Sequence, residues 1–335
     1  MGKYIVGVDI GGTTSKIGIF SRENFPEVAG RTLAETDTTE GGDAILPGIN
    51  KAVRDIVKDT GLTMDDIDGI GLGVPGPVIR GGKPGATIVN KCVNLNWGVK
   101  DVAGEMAELI GIDNIAVIND ANAAALGEVV CGTDDMDFAE KRATHRNTCA
   151  VFVTIGTGVG GGIVVDGDIM TGAFGATGEI GHMKIAPQHE IMKDIVHAGI
   201  KPFGDLEYFV SATGISRVAR AVLTAYKEDR SMLRDYVDVD AKIIFDAAKG
   251  GDGLAIRITD FFFDTLGTGL AAIAAVLDPD IFIIGGGVAG AGEFLLDGLH
   301  WAYQERVFHA SRETEFKLAE LGNDAGMIGA AASLI

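Results

Sequence analysis

Twice in this chain a run of apolar, β-forming residues breaks at a cluster of glycines and then resumes as a second such run. Residues 4–9 and 15–20 flank Gly11-Gly12-Thr13-Thr14. About 145 residues later, residues 149–155 and 163–166 flank the stretch Gly156–Gly162. A glycine cluster between two strands lets the chain reverse tightly and points successive N–H groups into one concavity, which suits an anion. A pair of such units points to an internal duplication and to two halves of related build.

The segments between them fix the class. Residues 43–60 carry apolar side chains at helical spacing, with Ala44, Ile45, Ile49, Ala52, Val53, Ile56 and Val57 on one face. A strand is expected near 28–34 and another over 68–74, stopped by Pro75-Gly76-Pro77. Helix 100–110 and strand 115–118 follow, so the order is β-β-β-α-β-α-β, a mixed sheet with crossover helices. A polar stretch, 133–147, separates the halves. Later come an apolar helix over 254–277, strand 281–284, Gly285-Gly286-Gly287 and helix 293–307. The small-residue helix 325–333 is expected to pack back on the first domain. The fold class is α/β, with domains expected at 1–118 plus 319–335 and at 119–318.

Glycine accounts for 49 of the 335 residues, about twice the ordinary share, and its runs follow apolar strands. The net charge of −19 argues against a nucleic-acid binder, which must neutralise phosphates, and against an anionic membrane surface as partner. A nucleotide would have to be held by backbone N–H groups and Mg²⁺ rather than by a basic patch. Three cysteines, Cys92, Cys131 and Cys149, form no CxxC pair and fit a reducing compartment. The chain opens directly into a strand without a signal-peptide pattern, and the apolar run 266–277 is too short for a bilayer. A cytoplasmic, soluble protein is expected.

Two GxGxxG matches, at Gly156/Gly158/Gly161 and Gly285/Gly287/Gly290, raise a dinucleotide-binding fold. That motif needs a helix directly after the turn. A strand follows the first, and the second comes too late in the chain to open a βαβ unit. No GxxxxGK[ST] occurs, so a P-loop enzyme is not expected. Asp9, ending the first strand, could hold Mg²⁺ through water, and Thr13, Thr14 and Thr157 add hydroxyl donors to the two turns. Ile118-Asn119-Asp120 precedes an Ala-rich helix, so Asn119 or Asp120 is an N-cap. An Asp at a helix N-terminus is kept ionised by the dipole and can accept a hydroxyl proton. Glu179 and His182 stand three residues apart, and Glu207 follows; carboxylate, amide and imidazole groups suit sugar hydroxyls, which both donate and accept.

Together these residues resemble the ROK family of sugar kinases and sugar-responsive repressors, within the actin/hexokinase superfamily. The segments that carry the resemblance are VGVDIGGTTSKIGIF (6–20), GLGVPGPV (71–78), VINDANAAALGE (117–128), VTIGTGVGGGIV (153–164), GATGEIGHM (175–183), GDLEYFVSATGI (204–215), DPDIFIIGGGV (278–288) and LGNDAGMIGAA (321–331). The resemblance implies two actin-like, ribonuclease-H-like domains with a central cleft, and ATP-dependent phosphorylation of a hexose. Glucose, at its 6-hydroxyl, is the first expectation; N-acetylglucosamine, N-acetylmannosamine, fructose, mannose and allose are the alternatives, and polyphosphate is the alternative donor. It further implies Asp120 as the base, with Asn94, Asn119, Glu179, His182 and Glu207 on the sugar. Asp9, Gly11, Gly12, Thr13, Thr14, Lys16, Gly156, Thr157, Gly158, Gly286 and Gly287 would line the ATP and Mg²⁺ site. A homodimer is implied as well. The rival reading is a non-catalytic sugar-binding regulator, but the helix-turn-helix that precedes the first strand in such repressors is not expected here.

One departure stands out. The family usually builds a zinc site from the His of its E-I-G-H motif and three cysteines just before the Glu that matches Glu207. Here residues 197–206 contain no cysteine, so thiolate zinc is not expected. His182, His189, His197 and Asp205 fit no metal-ligand spacing. Packing of segment 189–203 is the expected substitute.

Overall fold

The computed structural model describes residues 2–80, 87–132 and 148–335; the polar stretch 133–147 lies outside these. Strands β1 (Tyr4–Ile10), β2 (Thr14–Ser21) and β3 (Val28–Glu35) form an antiparallel meander. Helix α1 (Ile45–Asp59) then crosses to β4 (Ile67–Val74), which lies parallel to β1. A small sheet of β5 (Val78–Arg80), β6 (Thr87–Val89) and β7 (Lys100–Asp101) follows. Helix α2 (Val102–Ile110) leads to β8 (Ile115–Asn119), parallel to β4, and α3 (Asp120–Cys131) continues directly from it. The first sheet has the order β3-β2-β1-β4-β8.

Beyond residue 148 the pattern recurs. Strands β9 (Cys149–Ile155), β10 (Val159–Val165) and β11 (Asp168–Ile169) are followed by the two-residue pair β12 (Lys184–Ile185) and β13 (Gly204–Asp205), with the short helix α4 (Met192–Ile195) between them. Helices α5 (Leu206–Val210), α6 (Ala212–Ala225), α7 (Ala241–Lys249) and α8 (Gly253–Leu277) come next. Then follow β14 (Ile281–Gly285), α9 (Glu293–Gln304), β15 (Glu315–Leu318) and α10 (Ala325–Ala332). The second sheet runs β11-β10-β9-β14-β15, with β9, β14 and β15 parallel. Both sheets thus place three sequential strands beside two later ones in the same order, the topology that an internal duplication produces.

Several expected boundaries moved. The second glycine cluster was expected to turn until residue 162, yet β10 begins at Val159 and the turn is confined to Gly156-Thr157-Gly158. The following glycines are strand residues; at Gly162 a Cβ would stand 2.6 Å from Ala125 Cβ, so no larger side chain fits there. Helix α2 starts at Val102 rather than at residue 100, because the Asp101 carboxylate caps it by accepting the Gly104 N–H at 3.0 Å.

Contacts divide the chain into two compact units, Met1–Thr148 with Gly162–Gly178 and Glu320–Ile335, and Cys149–Gly161 with Glu179–Ala319. The sequence boundary at 118 assigned α3 to the second domain; its contacts assign it to the first unit. In that unit the period-2 alternation of β1 separates two cores. Val6, Val8 and Ile10 join Ile49, Val53 and Met106 of α1 and α2 on one face. On the other, Ile5 joins Leu126 and Val130 of α3 and Met327, Ile328 and Ala331 of α10.

The second unit is centred on α8. Asp252 caps its N-terminus, accepting from Leu254 and Ala255 N–H, and Asp278 ends it in the left-handed region just before Pro279. At 25 residues it is longer than the apolar run read from the sequence, and it is long and apolar enough to cross a membrane by length and composition. Leu254, Ile258, Phe261, Phe262, Leu266 and Leu270 are buried along it, the profile of a core helix.

Candidate functional site

In the first unit, register places the chemistry. Strands β1, β4 and β8 run parallel, with Asp9 opposite Gly73 and Val74 opposite Asn119. Their carboxyl ends are therefore level, at the edge where α/β proteins bind ligands. The Gly11–Thr14 turn closes by a Gly11 N–H to Thr14 O bond of 3.1 Å, and leaves Gly12, Thr13 and Thr14 exposed. Asn94, also exposed, approaches this turn: its carbonyl oxygen is 3.9 Å from where a Gly12 Cβ would lie.

Asn119, not Asp120, is the N-cap of α3; its Oδ1 accepts the Asn122 N–H at 3.1 Å. Its Nδ2 donates to Gly76 O at 3.3 Å and to Asp120 Oδ1 at 3.0 Å. The same Asp120 oxygen accepts the Ala121 N–H at 2.8 Å. The Asp120 carboxylate is thus oriented by its neighbours and stands on the helix's first turn, where the dipole favours negative charge. Sequence reading missed Cys92 here. Its buried thiol donates to Pro75 O at 2.6 Å, and burial first, then the Asp120 charge, pushes that thiol up. No motif marks it, because its place depends on the loop it closes.

Asp9 lies on the face of β1 that α10 covers. Burial raises its carboxyl, and Lys16, 3.7 Å away on β2, partly offsets this. Lys16 also donates to Asn323 O. A single carboxylate at a strand end fits Mg²⁺, which commonly takes one or two carboxylates and completes its shell with phosphates and water.

In the second unit, the Gly156-Thr157-Gly158 turn is closed by a Gly156 N–H to Gly158 O bond of 2.9 Å. It is held against α6: Ala212 N–H donates to Gly156 O at 2.8 Å and Thr213 Oγ1 to Thr157 O at 2.9 Å. Thr213 is a second residue that the sequence reading did not single out. Glu207, in the first turn of α5, accepts the Val159 N–H at Oε2 at 2.9 Å. Glu179 precedes a single 3₁₀ turn ending at His182, and Glu179 Oε2 and His182 Nε2 stand 4.0 Å apart. Gly181 lies on Val159, where a Cβ would be 2.2 Å from its carbonyl oxygen. Glu207 and the 3₁₀ turn that links Glu179 to His182 thus both meet the first residue of β10, the one through its carboxylate and the other through Gly181. Gly286, at φ 84°, backs onto Ile155, the last residue of β9.

Among the described residues, no three or more His, Cys, Asp or Glu side chains group as metal ligands. Within segment 189–203, Ile191, Ile195 and Ile200 are buried, His189 meets the edge of Phe261, and Phe203 is exposed. Tyr208, beside Glu207, is flanked by Lys201 and Arg217, and its hydroxyl accepts the Lys201 N–H at 3.4 Å.

This duplicated topology, with glycine turns at strand ends and carboxylates beside them, defines a protein of the actin-like α/β fold. The chain belongs to the ROK family, whose family model matches residues 5–335. It is 34% identical to a glucokinase of Halalkalibacterium halodurans, over 98% of this chain and 93% of that one. The solved structure of a ROK family glucokinase from Streptomyces griseus, in complex with glucose and AMPPNP, is 28% identical, with a TM-score of 0.69 and 98% of each chain covered. A xylose repressor of Caldicellulosiruptor bescii is 26% identical over 99% of this chain and 78% of its own length.

Proposed function

We propose that this protein is an ATP-dependent hexose kinase, with D-glucose as its acceptor. The observation that carries the reading is the Asp120 carboxylate, oriented by Asn119 and Ala121 at the head of α3 and in the same unit as the Gly11–Thr14 turn. The glucokinase relative and the glucose–AMPPNP complex support it. In the reaction, Asp120 takes the proton of the sugar 6-hydroxyl as that oxygen bonds to the γ-phosphorus; the bond to the β-phosphate oxygen breaks and ADP leaves. Such a base mainly positions the nucleophile, while N–H groups and metal stabilise charge. Asp9 is the carboxylate that would hold Mg²⁺ brought with the nucleotide, and the metal would there neutralise phosphate charge. Asn94, Asn119, Glu179, His182 and Glu207 are the sugar ligands; Gly11, Gly12, Thr13, Thr14, Lys16, Gly156, Thr157, Gly158, Gly286 and Gly287 take the nucleotide.

The direct test is ADP release with Mg-ATP over a panel of hexoses and N-acetylhexosamines. Glucose-dependent turnover exceeding that with every other sugar is expected. Turnover with a different hexose would keep the kinase and replace the acceptor. Folded protein with no turnover on any sugar, from ATP or polyphosphate, would sink the reading and favour a sugar-binding regulator.

Gly158 packs against the Glu207 carboxylate. A Cβ there would stand 2.4 Å from Glu207 Oε2, and the carboxylate at the end of a flexible side chain would yield before the backbone did. Gly158→Ala is expected to turn Glu207 off the Val159 N–H and to raise the KM for sugar about tenfold, the scale of one lost charged hydrogen bond. An unchanged sugar KM would remove Glu207 from the sugar ligands.

A further inference from the structure

Glu128 lies two turns along α3 from Asp120, and it is only 4% exposed. Its two oxygens accept separate backbone bonds from one distant segment: Oε2 from Glu320 N–H and Oε1 from Leu321 N–H, both at 2.9 Å. Burial holds this carboxyl up, and the two donors draw it back down. Burying a carboxylate is costly unless it is well hydrogen-bonded, so the arrangement favours one placement of the 320–321 backbone over its neighbours.

What that segment leads to gives the clamp a role. Two residues on, Asn323 O accepts Lys16 Nζ, and Lys16 pairs with Asp9 at 3.7 Å. Three residues further, Gly326 of α10 lies on the Asp9 carboxylate, where a Cβ would be 2.9 Å from its Cγ. A continuous run of contacts within the first unit therefore joins α3, which carries Asp120, to Asp9. We propose that Glu128 is a positioning residue for phosphoryl transfer, setting Asp120 against Asp9 by clamping the 320–326 segment to α3. It rests on the reading of Asp120 as the base and Asp9 as the nucleotide-side carboxylate.

The test compares Glu128→Gln, which keeps the shape and one acceptor, with Glu128→Met, which keeps the bulk and no oxygen, and carries Asp120→Asn alongside. The expected result is a fall in kcat of about tenfold for Gln and about a hundredfold for Met, since small misplacement of a reacting group costs on this scale. KM for sugar and for ATP should stay within about twofold, because a loss felt only in the transition state leaves ground-state binding alone. A folded Gln variant with kcat within about twofold of wild type overturns the proposal, even if its melting temperature falls, since Glu128 then serves stability only. Should the Met variant fail to fold, the Gln variant decides alone. An Asp120→Asn enzyme of normal rate would remove the base reading and the clamp's purpose with it; an inactive Asp120→Asn beside a normal Glu128→Gln would remove the clamp only.

Discussion

Asp120→Asn is expected to lower kcat by about 10²–10⁴, the range for loss of a general base, while the KM for ATP changes little. The substitution is unusually selective here. Asp120 Oδ1 accepts from Asn119 Nδ2 and Ala121 N–H, and the amide oxygen of Asn can accept both. The cap itself belongs to Asn119, so α3 keeps its start. What the substitution removes is the negative charge, and with it the proposed acceptor of the substrate proton. Steady-state kinetics of the two enzymes, with sugar and ATP varied in turn, check this. A rate near that of the wild type would exclude Asp120 as the base, whatever the sugar preference.

The largest effect on stability is expected at Gly329, in the last helix. A Cβ on Gly329 would fall 1.6 Å from Ala123 O, and one on Gly71 would fall 1.8 Å from Ala330 O. Helix α10 thus packs with its backbone directly against α3 on one side and β4 on another, and Ala123, Ala330 and Ala331 are buried in that contact. Neither partner is a flexible side chain that could swing away. Gly329→Ala must separate the helices, and overpacking of this kind costs about 3 kcal/mol or more. Urea unfolding should show the loss, with Gly98→Ala as the control; a Cβ at Gly98 meets nothing within 4 Å, so the close helix–helix contact can be told from a generic glycine effect. A loss below about 1 kcal/mol at Gly329 would mean that α10 does not sit this close to α3.

Much of the first unit was legible because its signals are local. The alternation of β1, the helical face of α1 and the polar pair that opens α3 each occupy a few residues, and the structure places these elements within a residue or two of the sequence reading. The glycine turns were legible for the same reason, although where the second one ends was not. Its limit at Gly158 is set by the Val159 N–H meeting Glu207, a partner 48 residues away. The short pair β12 and β13 escaped notice because two-residue strands carry no period.

Short-range spacing and side-chain chemistry were enough to reveal the duplicated α/β pattern, the glycine turns whose N–H groups suit an anion, and residue types suited to sugar hydroxyls and proton transfer. Only the tertiary structure assigned α3 to the first unit, laid α10 against Asp9 and gave Glu128 its partners. Those partners are backbone N–H groups 192 and 193 residues away. A backbone N–H is common to every residue but proline, so no letter of the sequence marks it as a partner.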